Sequence, residues 1–316
     1  MNKPLKKPLV IILGPTAVGK TSISIELAQR MSGEIVSADS RLLYRGMDIG
    51  TAKPSVAEVN IVPHHLIDVA NPDEVWSLGI YQRTAYQVID QIHLRGKLPF
   101  LVGGTGQYIR SVIEGWRIPA QSPDYDLRDA ITQWADIIGP EGLYERLERL
   151  DPVAASMIDY RNVRRTVRAL EVIFKSGERF SNLRLKQTCR YTPLTMGINR
   201  PREMLYPRVD LRIEQMLDVG LVQEVQGLLE AGYSPELPTM SAIGYGEIIQ
   251  YLQGKISLDE AVALIKRNTR IFVRRQANWF KPDDDRIKWF TIFADYDEED
   301  VINDMEAYLR RKLNDV

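Results

Sequence analysis

The 316-residue chain carries one cysteine, Cys189, and only three histidines. A lone cysteine forms no intrachain disulfide, and so small a Cys/His set excludes a Cys/His zinc site. No apolar run reaches the roughly 20 residues of a bilayer span, so no membrane association is expected. The opening MNKPLKKPLVIILG joins basic residues to a short apolar run, but no small-residue cleavage motif follows. No secretory leader is therefore expected, and the expected compartment is the cytosol. Repeats and low-complexity tracts are missing. So is an excess of either charge: 41 Lys+Arg against 42 Asp+Glu gives −1.

The near-zero sum hides local patterning. Residues 161–190 hold Arg161, Arg164, Arg165, Arg168, Lys175, Arg179, Arg184, Lys186 and Arg190 against only Glu171 and Glu178. Residues 264–281 hold Lys266, Arg267, Arg270, Arg274, Arg275 and Lys281 and no acid, whereas the chain from Pro282 on is acidic. A polyanionic partner needs local charge only, so a neutral total does not exclude one.

Pro8–Leu13 is a continuous apolar run, the pattern of a strand buried on both faces. A loop at Gly14–Lys20 leads to a helix over Thr21–Met31, with Ile23, Leu27 and Ala28 on one face. Glu34–Ala38 reads as a second strand and Lys97–Val102 as a third, with a helix near Leu78–Arg95 between them. Alternation of this kind predicts an α/β fold, a parallel sheet with helices on both faces. The pattern changes at a linker-like Pro119–Pro123, after which Asp126 to about Ser176 reads as helices only. A strand returns at Leu194–Ile198. Residues 119–192 are thus expected to form an all-helical insertion domain in a core of 1–118 and 193–316. One long helix is expected near Leu211–Glu230. Another starts at Ser257, where Ser257 and Glu260 make a capping box.

Gly14-Pro15-Thr16-Ala17-Val18-Gly19-Lys20-Thr21 fits G-x-x-x-x-G-K-[ST], the P-loop, with the required strand before it and helix after it. The glycines let backbone N–H groups turn inward onto phosphate oxygens, and the helix adds its N-terminal dipole. Lys20 supplies positive charge, and the Thr21 hydroxyl is placed to ligate Mg²⁺. Such a loop binds a phosphate chain without specifying the reaction. No N-K-x-D base-recognition element is present. Asp39 is the one acid at the end of a plausible strand soon after the loop.

Further along come Ser37-Ala38-Asp39-Ser40-Arg41, Tyr44-Arg45-Gly46-Met47-Asp48-Ile49-Gly50-Thr51-Ala52-Lys53-Pro54, His64-His65-Leu66-Ile67-Asp68 and Val102-Gly103-Gly104-Thr105-Gly106-Gln107-Tyr108. Arg164-Arg165, Arg168-Ala169-Leu170-Glu171, Met216, Gly220-Leu221, Glu224-Val225, Ile243-Gly244-Tyr245, Arg275-Gln276 and Trp279-Phe280 follow. In this order the series resembles the tRNA dimethylallyltransferases of bacterial type over about residues 9–290. The resemblance implies transfer of a dimethylallyl group from dimethylallyl diphosphate to the N6 amine of the adenosine 3′ of the tRNA anticodon, with release of diphosphate and help from Mg²⁺. It implies catalytic roles for Asp39, Thr105 and Arg212, and diphosphate binding by Gly14–Thr21. It implies tRNA contacts at Asp39, Ser40, Arg41, Leu42, Thr105, Arg128, Arg161, Asn162, Val163, Arg164, Arg165, Ile243, Gly244, Tyr245, Arg274, Arg275, Gln276, Trp279 and Lys281. Leu42 departs from the glutamine of many relatives. A monomer is expected.

The chemistry suits these residues. The adenine amine is a weak nucleophile, so most of the barrier is charge separation as diphosphate leaves, which a P-loop, Lys20 and Mg²⁺ offset. Asp39 can accept the amine's proton, although its position also suits a helix N-cap or a contact to metal-bound water. Thr105 also suits a helix cap, and Arg212 a solvated helix face. His64 and His65 read as packing residues. On a helix over Asn162–Phe174, Val163, Val167, Leu170 and Phe174 share one face and Arg161, Arg164, Arg165 and Arg168 the other. With Arg267, Arg270 and Arg274, this suggests a groove for an RNA backbone. Three other readings stay open: a P-loop kinase or nucleotide phosphotransferase, a free-adenylate isopentenyltransferase, and a non-catalytic RNA-binding switch.

Overall fold

The computed structural model describes residues 7–118, 124–184 and 189–314, with the side chains of Leu183 and Arg184 left aside. The expected linker Pro119–Pro123 and the basic Lys186 lie outside the described residues. The chain divides into two compact units. One comprises the described residues of Met1–Trp76, Ile80–Ile113 and Cys189–Val316, and the other those of Ser77–Gly79 and Glu114–Thr188.

The first unit is built on β1 (Pro8–Leu13), α1 (Lys20–Arg30), β2 (Gly33–Ser37), α2 (Val56–Ile61), β3 (His64–His65), α3 (Leu78–Leu94), β4 (Leu98–Gly103) and α4 (Gly106–Ile113). The second unit contributes α5 (Tyr125–Leu150), α6 (Pro152–Ser156) and α7 (Val163–Ser176). The first then resumes with β5 (Thr192–Asn199), α8 (Arg202–Asp218), α9 (Leu221–Glu230), α10 (Tyr245–Leu252), α11 (Leu258–Ala277), β6 (Ile287–Thr291) and α12 (Glu298–Asn314).

The strands form one parallel sheet in the order β3-β2-β4-β1-β5-β6. β1 is the hydrophobic spine: Leu9 to Leu13 are fully buried, which explains the unbroken apolar run. It pairs Val10 with Phe100 of β4 and with Leu194 of β5. β4 inserts between β1 and β2, so the loops after these three strands open at one edge, where parallel α/β sheets bind ligands.

Three expectations change. His64–His65 forms a short strand, so the strand at Leu98–Gly103 is the fourth, not the third. The expected single helix to Glu230 is two, α8 and α9, because Gly220 at φ 108° adopts a left-handed conformation that breaks the helix. α8 also starts earlier, at Arg202, despite Pro207 near its N-terminus. β6 went unanticipated. The Ser257–Glu260 capping box opens α11 as read.

In the helical unit, α5 is broken at Gly139, before Pro140. Ile131, Leu143, Leu147, Val167 and Leu170 form its core. Phe174 is 49% exposed rather than packed, and Ile173 beside it packs against the core instead. Glu171 is fully buried. Its carboxylate is bridged by Arg128 and Arg168, each at 2.6 Å, and accepts the Asp124 N–H at 2.9 Å. Two guanidinium partners are what a buried carboxylate requires.

Candidate active site

The Gly14–Thr21 loop joins β1 to α1 as its spacing requires. Gly19 sits at φ 105° and caps α1, a conformation that L side chains rarely adopt. Lys20 bends back so that its Nζ donates to the Pro15 carbonyl. From α8, Arg212 donates to the Thr16 hydroxyl at 3.3 Å and Arg208 to the Ala17 carbonyl at 3.2 Å. Arg208 went unrecognised in the sequence, although it lies one helical turn from Arg212 on the same face.

These groups line a cleft of about 490 Å³ with Thr21, Asp39, Leu42, Thr51, Val102 and Leu211 among its walls. Burial and the Arg212 charge bring the Lys20 ammonium from 10.5 down to about 8, against the opposing pull of Asp39. Burial also lowers the Arg212 guanidinium, and Asp39 again opposes the shift. Three cations at a partly desolvated loop make a strong anion site.

Asp39 follows β2 at the same edge. One carboxylate oxygen accepts the Arg41 N–H at 2.9 Å, closing a local turn rather than capping a helix. The Thr105 hydroxyl accepts the Ser40 N–H at 3.1 Å, and the Thr105 N–H donates to the Ala38 carbonyl at 3.1 Å. At the start of α4 it is the Thr105 carbonyl that receives the Tyr108 and Ile109 N–H groups. Its side chain is thus spent on the Asp39 loop and not on a helix cap.

Other named residues serve as supports. Gln276 is 7% exposed; its amide accepts the Thr16 N–H at 2.9 Å and donates to the Gly104 carbonyl at 3.3 Å. Tyr245 is fully buried, and its hydroxyl donates to Glu224 at 2.6 Å, leaving no surface for a ligand. Gly244, also buried, begins α10, with Ile243 beside it. Trp279 packs against Gly106, where a Cβ would meet its ring at 2.3 Å, and its carbonyl accepts from Arg110 at 2.6 Å. Glu224 was noted in the sequence without a role. Its carboxylate accepts the N–H groups of Asp48, Ile49 and Gly50, pinning the Gly46–Thr51 loop. His65 bonds Glu34 at 2.7 Å, with Arg95 on the same carboxylate, and His64 bonds the Val62 carbonyl.

The basic faces shrink on inspection. In the helical unit, Arg161 pairs with Asp159, Asn162 caps α7 through the Arg165 N–H, and Val163 packs on the core. Arg128 and Arg168 are committed to Glu171. Arg164 and Arg165 meet no carboxylate among the described residues. On α11, Arg270 pairs with Asp210 and Lys266 with Glu214. Arg274, Arg275 and Lys281 stay exposed. They too meet no carboxylate among the described residues.

The family described as IPP transferase matches residues 42–283, and that described as isopentenyl transferase matches residues 7–69. The tRNA dimethylallyltransferase of Roseiflexus sp. is 51% identical over 87% of this chain and 90% of its own. The full-length tRNA isopentenylpyrophosphate transferase of Bacillus halodurans superposes with TM-score 0.73 at 39% identity, covering 98% of both chains. A eukaryotic dimethylallyltransferase solved acting on tRNA gives TM-score 0.75 at 26% identity over 90% of this chain and 74% of that one. Matched along most of its length in sequence and in fold, the chain belongs to the IPP transferase family, as a member of bacterial type.

Proposed function

We propose that the protein transfers a dimethylallyl group from dimethylallyl diphosphate to the N6 amine of the adenosine 3′ of the anticodon in tRNA. One observation carries this reading: the anion-binding loop and Asp39 line one cleft. A kinase needs a nucleotide phosphate there. A prenyl transfer needs a diphosphate that leaves and a base that takes a proton.

In the reaction the amine nitrogen bonds to the allylic C1 while the C1–O bond breaks and diphosphate carries away the electron pair. Lys20, Arg208, Arg212 and the loop N–H groups meet the charge that grows on the leaving oxygens. Asp39 takes the proton lost by the amine. The Thr105 hydroxyl holds the Ser40 N–H and so fixes the turn that carries Asp39. Leu42, Leu211 and Val102 give the cleft apolar wall for the five-carbon chain.

Mg²⁺ fits this site as a shared ion. Thr21 and Asp39, both oxygen-bearing, line the cleft beside the anion-binding loop. That matches an ion held by one or two protein oxygens, water and substrate phosphates. Bound there, it would add charge neutralisation at the diphosphate.

Arg164, Arg165, Arg267, Arg274, Arg275 and Lys281 are among the cations left for tRNA phosphates. The target base must leave the anticodon stack, which loop nucleotides do at low energetic cost. Incubation with labelled dimethylallyl diphosphate and tRNA, AMP or no acceptor tests the reading. Label is expected in tRNA alone; label in AMP, or none anywhere, would overturn it.

A further inference from the structure

We infer that Gln276 is a positioning residue for this reaction: its single amide fixes the loop that holds the leaving group against the loop that carries Thr105 and the Asp39 turn. The inference rests on the prenyl-transfer reading above. Gln276 lies near the end of α11, and its partners are 260 and 172 residues away. The Oε1 atom accepts from the N–H of Thr16, whose hydroxyl in turn accepts from Arg212. The Nε2 atom donates to the carbonyl of Gly104, the residue before Thr105. Thr105 then holds Ser40, next to Asp39. A continuous hydrogen-bonded path thus runs from a diphosphate-binding arginine to the turn of the proposed base. Among the described residues, Gln276 is the one side chain from a third element that hydrogen-bonds both loops.

The packing leaves little freedom. A Cβ placed on Gly104 would meet Gln276 Nε2 at 2.2 Å, so amide and strand end lie in close contact. Gln276 is 7% exposed, and both of its hydrogen bonds are long-range. The terminal amide is planar and spans about 2.3 Å between oxygen and nitrogen, a distance set by covalent geometry. It therefore acts as a spacer of fixed length. A binding loop can be held by many contacts. The separation between the C1–O bond and the proton acceptor must hold to a fraction of an ångström, because small misplacements reduce the rate steeply. Arg274 and Arg275, on the preceding positions of α11, are exposed, so the same helix offers cations to RNA while its buried side keeps the two loops in register.

The chemistry of the amide supplies a discriminating test. Gln276→Met keeps the volume and loses both hydrogen bonds. Gln276→Glu keeps the acceptor for Thr16 and loses the donor to Gly104, but a protonated carboxyl restores that donor. Burial between two loops and the Gly104 carbonyl raise a carboxyl's pKa, against the Thr16 N–H and the Arg212 and Lys20 cations that lower it, and the balance brings the protonated form within working pH. At saturating donor and tRNA, Gln276→Met is expected to lower kcat by about 10²-fold. KM for dimethylallyl diphosphate and the tRNA Kd should each stay within about threefold, because both binding surfaces remain. Gln276→Glu is expected to be slow at pH 8 and to recover about tenfold relative to wild type as pH falls to 6, as the buried acid protonates. Circular dichroism melts accompany both variants. If Gln276→Met does not fold, the pH recovery of Gln276→Glu decides alone. A near-wild-type kcat for either folded variant overturns the inference. So does a loss confined to tRNA affinity, which would make Gln276 an RNA contact, or a pH profile for Gln276→Glu parallel to wild type. Wild-type protein that fails to label tRNA would overturn the prenyl-transfer reading itself, a result distinct from all of these.

Discussion

Asp39 spends one carboxylate oxygen on the Arg41 N–H, and the second has no protein partner among the described residues. Asp39→Asn keeps the turn and removes the base. Turnover is expected to fall by about 10²–10⁴-fold with tRNA affinity little changed, and single-turnover kinetics with a parallel tRNA-binding assay would check this. A variant near wild-type turnover would remove Asp39 from the proton transfer. Lys20 makes a prediction in pH. Its ammonium titrates at about 8 in the folded protein, against 10.5 ordinarily. Because folding lowers this pKa, the charged lysine opposes folding below pH 8, and the opposition fades as pH rises toward 10.5. Diphosphate favours the charged form, so donor binding should take up a proton increasingly as pH rises past 8, and affinity should fall over the same interval. Calorimetry in buffers of different ionisation enthalpy reads the proton directly. Lys20→Arg stays charged and should abolish the uptake.

Glu224 shows how one side chain holds an element. It accepts three backbone N–H groups of the Asp48–Gly50 turn and the Tyr245 hydroxyl, and Thr51, just beyond the turn, lines the cleft. Glu224→Gln is expected to lower stability by about 1–3 kcal/mol, read as a drop in Tm, because charge-assisted bonds weaken and one acceptor oxygen is lost. An unchanged Tm would mean that the turn holds itself. The β1–loop–α1 element was legible in sequence because it is local: an apolar run, two glycines and a lysine within 20 residues. The Glu224 and Gln276 anchors were not legible, because their partners lie about 175 and 260 residues away and only the folded sheet brings them together. The basic helix faces misled in the opposite direction. Angular spacing placed Arg168 on a free ridge, but nothing local showed that Glu171 turns into the core and draws Arg168 and Arg128 with it. Arg212 and Thr105 had ordinary helix-face and capping readings in sequence. Their contacts to Thr16 and Ser40 gave them their place.

For the molecule as a whole, the unpaired arginines set the dependence on salt. Replacing Arg164 and Arg165 together by Ala should flatten the log–log dependence of tRNA affinity on salt by about one to two units. Arg274→Ala with Lys281→Ala should do the same. Cognate and non-cognate tRNA should be weakened alike, since phosphate contacts position without specifying. Arg270→Ala should change the slope least, because Asp210 already neutralises that charge. Parallel salt titrations of wild type and variants would remove both faces from RNA binding. The pairing of β1 with β5 also dictates when the enzyme can begin to exist during synthesis. The phosphate loop is made well before its neighbour strand, which begins at Thr192, and before the amide that fixes Thr16, at residue 276. At about 5–20 residues per second, this leaves the loop on the order of ten to fifty seconds without its later supports. Until Arg208 and Arg212 follow, the nascent chain has an apolar β1 edge to shield and no donor site. A ribosome-stalled chain ending before β5 should therefore bind no dimethylallyl diphosphate, although it carries every residue of the loop.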